Sequence, residues 1–480
     1  MADPGADPRT DGTGTSGIGG TSGIGGTGAR GFLDALCDPG TFRELPPPAP
    51  PDRPDPLSWP GYDGARARAA ERTGETESVV TGTAAIDGTT AVFIAFEFGY
   101  LGGSLGQETG DRIEAAHVHA RAHGLPVVPV VATGGSRMQE GMVALTQLQR
   151  VARQSALTRA AGLPQIAVVR DPTTGGGWAT LGAGADLTLA LPGAQIGFAG
   201  SRVRPPDADP AAYTAEAQLR AGAVDAVVAP DALRATLGRR LRLLTRPSDG
   251  PAPVPRPLGR TDLPLTGWDA VQRARDPERP RARAYLDAYF TYREELRGDR
   301  AGGTDDGMLC GFGEYKPEQG HGQERGHEGR TIAYAAQCGT AITPAGYRTA
   351  TRLLRLAGRL GIPVLTLVDT PGAASGDAAE RAGAGAAIAE LFLAVAESPV
   401  PVTTLVIGEG GSGGALAPAA PGSTWVTPDA YFSVIAPELA TAILKRPPDQ
   451  AQHTAGQLRL RPQELVDLGV VRGIAGRPSD

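Results

Sequence analysis

Four short, almost unbroken apolar runs, each ending in glycines, set the pattern of this chain. PVVPVV (126–131) leads into ATGGS, IAVV (166–169) into RDPTTGGG, VLTLV (364–368) into DTPG, and TTLVI (403–407) into GEGGSGG. Runs of that length bounded by turn residues predict strands buried on both faces, as in a parallel sheet. After the first run the apolar positions change to helical spacing: 138, 142, 145, 148 and 151 step by three and four, which predicts a helix with that face inward. Ser136 and Gln139 form a capping-box pattern at its start, so Gly134 and Gly135 are expected at a helix N-terminus, where negative charge is favoured.

Strand, glycine turn, helix, strand and second glycine turn thus occur twice. Gly135 to Gly175 spans 40 residues and Gly372 to Gly413 spans 41. Each half also closes on a similar phrase, LRAGAVDAVV (219–228) and LVDLGVVRGI (465–474), read as a helix ending at glycine before a short strand. The duplication therefore covers whole domains, and a chain of 480 residues has the length for two cores. Residues 1–30 repeat TSGIGG and read as a disordered glycine-rich tail, 31–245 as the first domain, 246–262 as a proline-rich linker and 263–480 as the second domain. At the start of the latter, WDAVQRARDPERPRARAYLDAYF (268–290) predicts a helix, a proline break and another helix.

Charge and composition narrow the function class. The net charge of −6, with no long basic block, points away from nucleic acid and from an anionic membrane surface, leaving a small-molecule ligand. Three cysteines, Cys37, Cys310 and Cys338, are too scattered for a zinc pair or a disulfide framework, and no apolar run reaches membrane-spanning length, so a cytoplasmic protein is expected. Lys316 and Lys445 are the only lysines, neither preceded by methionine, which removes a biotin-accepting Met-Lys pair from this chain.

Paired glycine turns have a chemistry of their own. Two strand ends side by side, each followed by residues without a Cβ, can aim backbone N–H groups at one developing oxyanion. Candidate donors lie around Gly135, Ser136, Gly175 and Gly176 in the first half and around Gly372, Ala373, Gly413 and Gly414 in the second. Three other motifs carry less. Gly408, Gly410 and Gly413 fit GxGxxG, but Pro418 cuts the following helix short of a dinucleotide-binding length. Gly102 to Gly106 and Gly410 to Gly414 fit GxSxG in a chain with 68 glycines, where such matches arise easily. His117, His119 and His123 share one predicted helix and read as part of a solvated face, not as metal ligands.

With these strings quoted, the chain resembles the carboxyltransferase component of acetyl-CoA carboxylase, with the two bacterial subunits, β then α, fused in one chain. The β-like strings are LDALCDPGTFREL (33–45), DPLSWPGYDGARARAAERTG (55–74), FEFGYLGGSLG (96–106), TGGSRMQEG (133–141), DPTTGGG (171–177) and IGFAGSRV (196–203). The α-like strings are WDAVQRARDPERP (268–280), GDR (298–300), PAGYRTATRLLRLA (344–357), VDTPGA (368–373), IGEGGSGGALA (407–417) and YFSVIAPE (431–438). The resemblance implies an α/β chain of two crotonase-like domains, each a ββα superhelix, in a homo-oligomer whose active site lies where a β-like domain faces an α-like one, often across a dimer interface. It implies acyl-CoA on the β-like side, through Gly102, Gly103, Gly134, Arg137, Trp178 and Arg202, and carboxybiotin on the α-like side, delivered on a separate biotinylated carrier protein charged by a biotin carboxylase. Gly175 and Gly176 then serve the thioester oxygen, Gly413 and Gly414 the biotin ureido oxygen. The implied product is malonyl-CoA, the precursor for fatty acid biosynthesis.

Departures from the family pattern fall near the pockets. The four-cysteine zinc ribbon of the β subunit is reduced to Cys37, so no zinc is expected. Ala374 and Ser375 replace the usual tyrosine and proline, the acidic-arginine phrase becomes AERAG (379–383), and the usual His-Gln-Lys-Gly-Arg phrase before Gly346-Tyr347 is missing. Trp178 replaces a small residue and is expected to reshape the acyl pocket. Two alternatives follow: a biotin-independent thioester decarboxylase on the same scaffold, and a non-catalytic scaffold that binds acyl-CoA or a partner.

Overall fold

A computed structural model describes residues 27–317 and 329–477. Residues 1–26 of the expected tail lie outside the described residues; of its last positions, Ala29 opens a helix, Ala29–Leu36, with Phe32, Leu33 and Leu36 buried.

Each half is one sheet. The first is built from β1 (Arg43–Glu44), β2 (Val79–Ile86), β3 (Thr89–Phe96), β4 (Val127–Thr133), β5 (Ile166–Thr174), β6 (Leu187–Ala190), β7 (Ile196–Gly197) and β8 (Ala226–Val227). The second comprises β9 (Phe290–Glu295), β10 (Met308–Tyr315), β11 (Thr331–Gln337), β12 (Val364–Thr370), β13 (Val402–Gly411), β14 (Thr424–Val426), β15 (Tyr431–Ser433) and β16 (Gly473–Ile474). Their orders are the same: β1-β2-β3-β4-β5-β6-β8 with β7 on β5, and β9-β10-β11-β12-β13-β14-β16 with β15 on β13. In both, the first three strands pair antiparallel and the others parallel. Even the irregularities repeat: register shifts fall between Val131 and Thr133 and between Val368 and Thr370. All seven residues of β4 and of β12 are buried, as an apolar run between parallel neighbours requires. The closing phrases form as expected, with helices Ala215–Arg220 and Pro462–Asp467 running through Gly222 and Gly469, both at positive φ, into β8 and β16.

The halves share one core. Phe93, Val168, Leu237 and Leu241 of the first belong to the same buried cluster as Phe312, Leu353 and Leu391 of the second. The proline-rich stretch between them is packed: Ala252 is buried, its carbonyl accepts from Thr403 Oγ1 at 2.8 Å, and Tyr289 donates its hydroxyl to the Pro253 carbonyl at 2.8 Å. Proline brings no N–H to satisfy, so such a strand can lie on a sheet through its carbonyls alone.

The helix after Gly135 departs from expectation. It spans Gly141–Ala160, preceded by a 3₁₀ turn Met138–Glu140, and Ser136 makes no cap. Its apolar stripe points outward at first, Met138 at 74% and Met142 at 67% exposure, and turns inward only at Leu148 and Val151, while Ala144, Gln147, Gln154, Ser155 and Thr158 also face inward. The reason is the neighbouring helix, Gln107–His123, whose carboxylates recruit the polar face: Gln154 donates to Glu114 at 2.7 Å, and Arg150 to Asp111 at 2.6 Å. His117 is buried there, its Nδ1 3.0 Å from Thr158 Oγ1, so only His119 and His123 lie toward solvent.

Candidate active site

The two glycine turns are built alike. Gly135 N–H donates to Thr133 Oγ1 at 3.0 Å, and Gly372 N–H to Thr370 Oγ1 at 3.1 Å. The Gly135 carbonyl accepts from Leu105 N at 2.9 Å and that of Gly372 from Ile342 N at 3.1 Å; Arg137 N and Ala374 N return to Leu105 and Ile342 at 2.8 Å each. Between these anchored residues sit Ser136 and Ala373, whose N–H groups are given to no acceptor among the described residues.

Opposite each lies a strand end that turns into a short helix. β5 ends at Thr174 and β13 at Gly411; the next residues, Gly175 and Ser412, take φ of +63° and +59°. Gly176 and Gly413 follow, in the first helical turn, where N–H groups have no intrahelical acceptor. The turns touch: a Cβ on Gly175 would come within 3.1 Å of the Gly135 Cα, and one on Gly414 within 2.5 Å of Ala373 N. Close approach of this kind needs glycine. The candidate donors not spent elsewhere are therefore Ser136 with Gly176, and Ala373 with Gly413 and Gly414. Gly135 and Gly372 are spent on threonine hydroxyls, and Gly175 donates to the Phe198 carbonyl at 3.0 Å.

Buried ion pairs support both turns, and the sequence reading missed their acidic members. Arg137, expected at the substrate, is 1% exposed; it binds both Glu77 oxygens, Glu140 at 3.2 Å and the Ser104 carbonyl at 2.8 Å. Tyr62 donates to Glu140 at 2.6 Å. Burial alone would raise the Glu77 carboxyl, yet the Arg137 charge and hydrogen bonds hold it below the usual range. In the second half Asp369, fully buried, pairs with Arg279 at 2.5 Å and Arg281 at 3.4 Å, and here burial prevails, pushing the carboxyl up. Gln337 ties the pair to the turn, donating to the Gly414 carbonyl at 3.1 Å and accepting from Asp369 N at 3.3 Å.

Two further expectations change, at Trp178 and at the Gly102–Gly103 pair, while Arg202 keeps an open position. Trp178 is 7% exposed and packs inward with Val169, Ala190 and Ile196, a core position. Gly103 is buried, its Cα so near the Ala132 carbonyl that a Cβ would stand 2.1 Å away, and the Gly102 carbonyl accepts from Gly134 N at 2.8 Å; these glycines brace the turn from behind. Arg202 is exposed on the 3₁₀ turn Ser201–Val203, just beyond Phe198. Among the described residues no group of three or more metal-ligating side chains occurs, and no helix is long and apolar enough to cross a membrane.

Comparison with known proteins decides the family. Residues 261–479 match the family described as acetyl co-enzyme A carboxylase carboxyltransferase-like, and residues 55–226 the carboxyl transferase domain. The chain is 39% identical over 483 aligned positions to acetyl-coenzyme A carboxylase carboxyl transferase subunits beta/alpha of Salinispora arenicola, covering 94% of this chain and 84% of the relative. It belongs to the biotin-dependent carboxyltransferase family. A probable biotin-dependent acyl-coenzyme A carboxylase beta3 subunit of Mycobacterium tuberculosis is similar too, 36% identical over 87% of this chain and 84% of the relative. Among solved structures, transcarboxylase 12S, described as a hexamer with methylmalonyl-coenzyme A bound, superposes with a TM-score of 0.75 at 21% identity, over 94% of this chain and 87% of that one. A single-chain long-chain acyl-CoA carboxylase gives 0.69 at 21% identity, over 93% and 44%. The fold is the crotonase-like carboxyltransferase fold that the motifs implied, present twice.

Proposed function

We propose that this carboxyltransferase moves CO2 from carboxybiotin, carried on a separate protein, to the α-carbon of acetyl-CoA or a related short acyl-CoA, giving malonyl-CoA or its homologue. The observation that carries the reading is the double turn, with Ser136 and Gly176 in one half and Ala373 and Gly413 in the other presenting N–H pairs. Each pair fits a single carbonyl-type oxygen: the thioester oxygen at the first, the ureido oxygen at the second. Bound carboxybiotin supplies the CO2 and a ring nitrogen able to take the α-proton. The first pair stabilises the thioester enolate as that proton leaves, an interaction worth several kcal/mol where water is excluded, and the second orients the ureido group. Arg202, exposed beside the first turn, is suited to a phosphate of CoA.

Both turns are rimmed by exposed apolar side chains. Met138, Met142, Phe198 and Val203 stand at the first and Val434, Leu439 and Ile443 at the second, all more than half exposed. Such patches mark contact surfaces, and they support an oligomer in which the first turn of one copy faces the second turn of another, enclosing the cleft. A biotin carboxylase and a biotinylated carrier complete the reaction, in the cytoplasm.

The test is exchange of label between malonyl-CoA and acetyl-CoA with and without the biotinylated carrier. Carrier-dependent exchange is expected. Loss of CO2 from malonyl-CoA without biotin would replace the reading by the decarboxylase, and CoA binding without turnover by the scaffold. Running the assay on acetyl-, propionyl- and long-chain acyl-CoA fixes the substrate.

A further inference from the structure

A cleft of about 440 Å³ opens on the seam between the two halves, walled by six arginines against three carboxylates. The acids are already engaged. Asp186 takes Arg359 at 2.6 Å and Arg159 at 3.3 Å, Asp299 takes Arg348 at 2.6 Å, and Glu390 meets Arg355 only at 3.9 Å. Beneath the wall, fully buried Asp225 holds Arg300 at 2.7 Å and Arg352 at 3.0 Å. Counting Asp225, four carboxylates face six guanidiniums, and two positive charges remain in a partly dehydrated cleft.

Two polar atoms in the same place lack partners among the described residues. Thr351, 2% exposed, lines the cleft with a hydroxyl that bonds nothing, where a helical threonine usually turns to the carbonyl one turn back. Arg300 Nε is likewise unpaired. Burial, only partly offset by Asp225 and reinforced by Arg352, pulls the Arg300 guanidinium down to about 10.

We propose that this seam cleft binds a compact divalent oxyanion of the phosphate or sulfate class, held by Arg355, the unpaired Arg300 Nε and the Thr351 hydroxyl. Planar guanidinium forks match tetrahedral oxyanions in pairs of hydrogen bonds, the hydroxyl adds a third donor, and two negative charges cancel the surplus. Arg159 and Asp186 come from the first half and the anion's proposed ligands from the second, so the site lies on the seam without bridging it. The proposed ligands are not those of either glycine turn, and the proposal does not depend on the transferase reading.

Calorimetric titration of the full chain with sodium phosphate, at ionic strength held constant with sodium chloride, should give saturable one-site binding. Saturation should raise Tm by about 2 °C or more over the chloride control. Arg355→Gln, on an exposed side chain, and the near-isosteric Thr351→Val should each weaken Kd at least tenfold with the circular dichroism spectrum unchanged. No saturable binding by the unaltered chain, or full affinity retained in either variant, overturns the proposal.

Discussion

The two glycine turns share a backbone and differ in what surrounds it. At the first, Gly176 is closed in: a Cβ there would meet Leu148 at 2.3 Å. At the second, the matching Gly413 faces open space, while its neighbour Gly414 is the crowded one, with Tyr347 Oη 2.4 Å from a built Cβ. The first turn rests on a carboxylate held ionised, Glu77, and the second on one pushed toward its neutral form, Asp369. A duplicated frame thus keeps its hydrogen-bond geometry while the environment of each copy is free to diverge, as two different ligand oxygens require.

The largest effect that sharpens this contrast is at Gly413 and Gly414. Gly413→Val keeps the backbone N–H but adds a branched side chain beside it, obstructing approach of the ureido oxygen, so exchange activity should fall about 10²- to 10³-fold, as much as when one oxyanion donor is lost, with Tm nearly unchanged because the side chain meets nothing within 4 Å. Gly414→Val drives its side chain into Tyr347 and Ala373 N and should lower Tm as well as activity. Full exchange activity in Gly413→Val would remove the second turn from the mechanism.

Next in size are the buried ion pairs. Arg137→Met leaves Glu77 charged and enclosed, and should cost about 3–5 kcal/mol in urea denaturation at pH 7. Arg279→Met should cost less, because the Asp369 carboxyl already leans toward protonation and keeps Arg281 at 3.4 Å. Sign and window follow from the shifts. The Glu77 pair is fully present above the ordinary glutamate range and is lost as pH falls through its depressed value. In acid, therefore, both carboxyls are neutral and the gap between the two variants should close; equal losses at pH 7 would mean that the two supports are equivalent.

Most of the fold was legible because it is written in short-range pattern: continuous apolar runs gave β4, β5, β12 and β13, and the repeat of their spacing gave the second sheet. The family strings located the two turns. What escaped was set by partners distant in sequence. Arg137 looked like a ligand contact because nothing nearby in the chain announces Glu77, 60 residues away. The outward stripe of Met138 and Met142 was read inward because helical spacing reports an apolar face without saying what covers it. Gln154, Arg150 and Glu114 decided that orientation instead, through hydrogen bonds between two helices. Trp178 followed the same rule, since its size suited a pocket and a core equally and only tertiary packing chose.

The smallest predicted effect separates backbone conformation from side-chain space, at a place where the halves use different residues for the same φ. Ser412→Gly relieves a left-handed serine, worth about 1–2 kcal/mol, but frees the unfolded chain by about 0.4–1 kcal/mol. The two nearly cancel, so a shift within about 1 kcal/mol is expected, with exchange activity kept. Gly175→Ser is the reciprocal change and is not symmetric with it. It adds the conformational cost and also brings a Cβ to 3.1 Å from the Gly135 Cα, a backbone atom that cannot rotate away. The turn carrying Ser136 must shift, so stability should fall by about 1–2 kcal/mol and activity with it. Should Gly175→Ser prove as silent as Ser412→Gly, the close contact between the first pair of turns would not be what holds Ser136 and Gly176 in place.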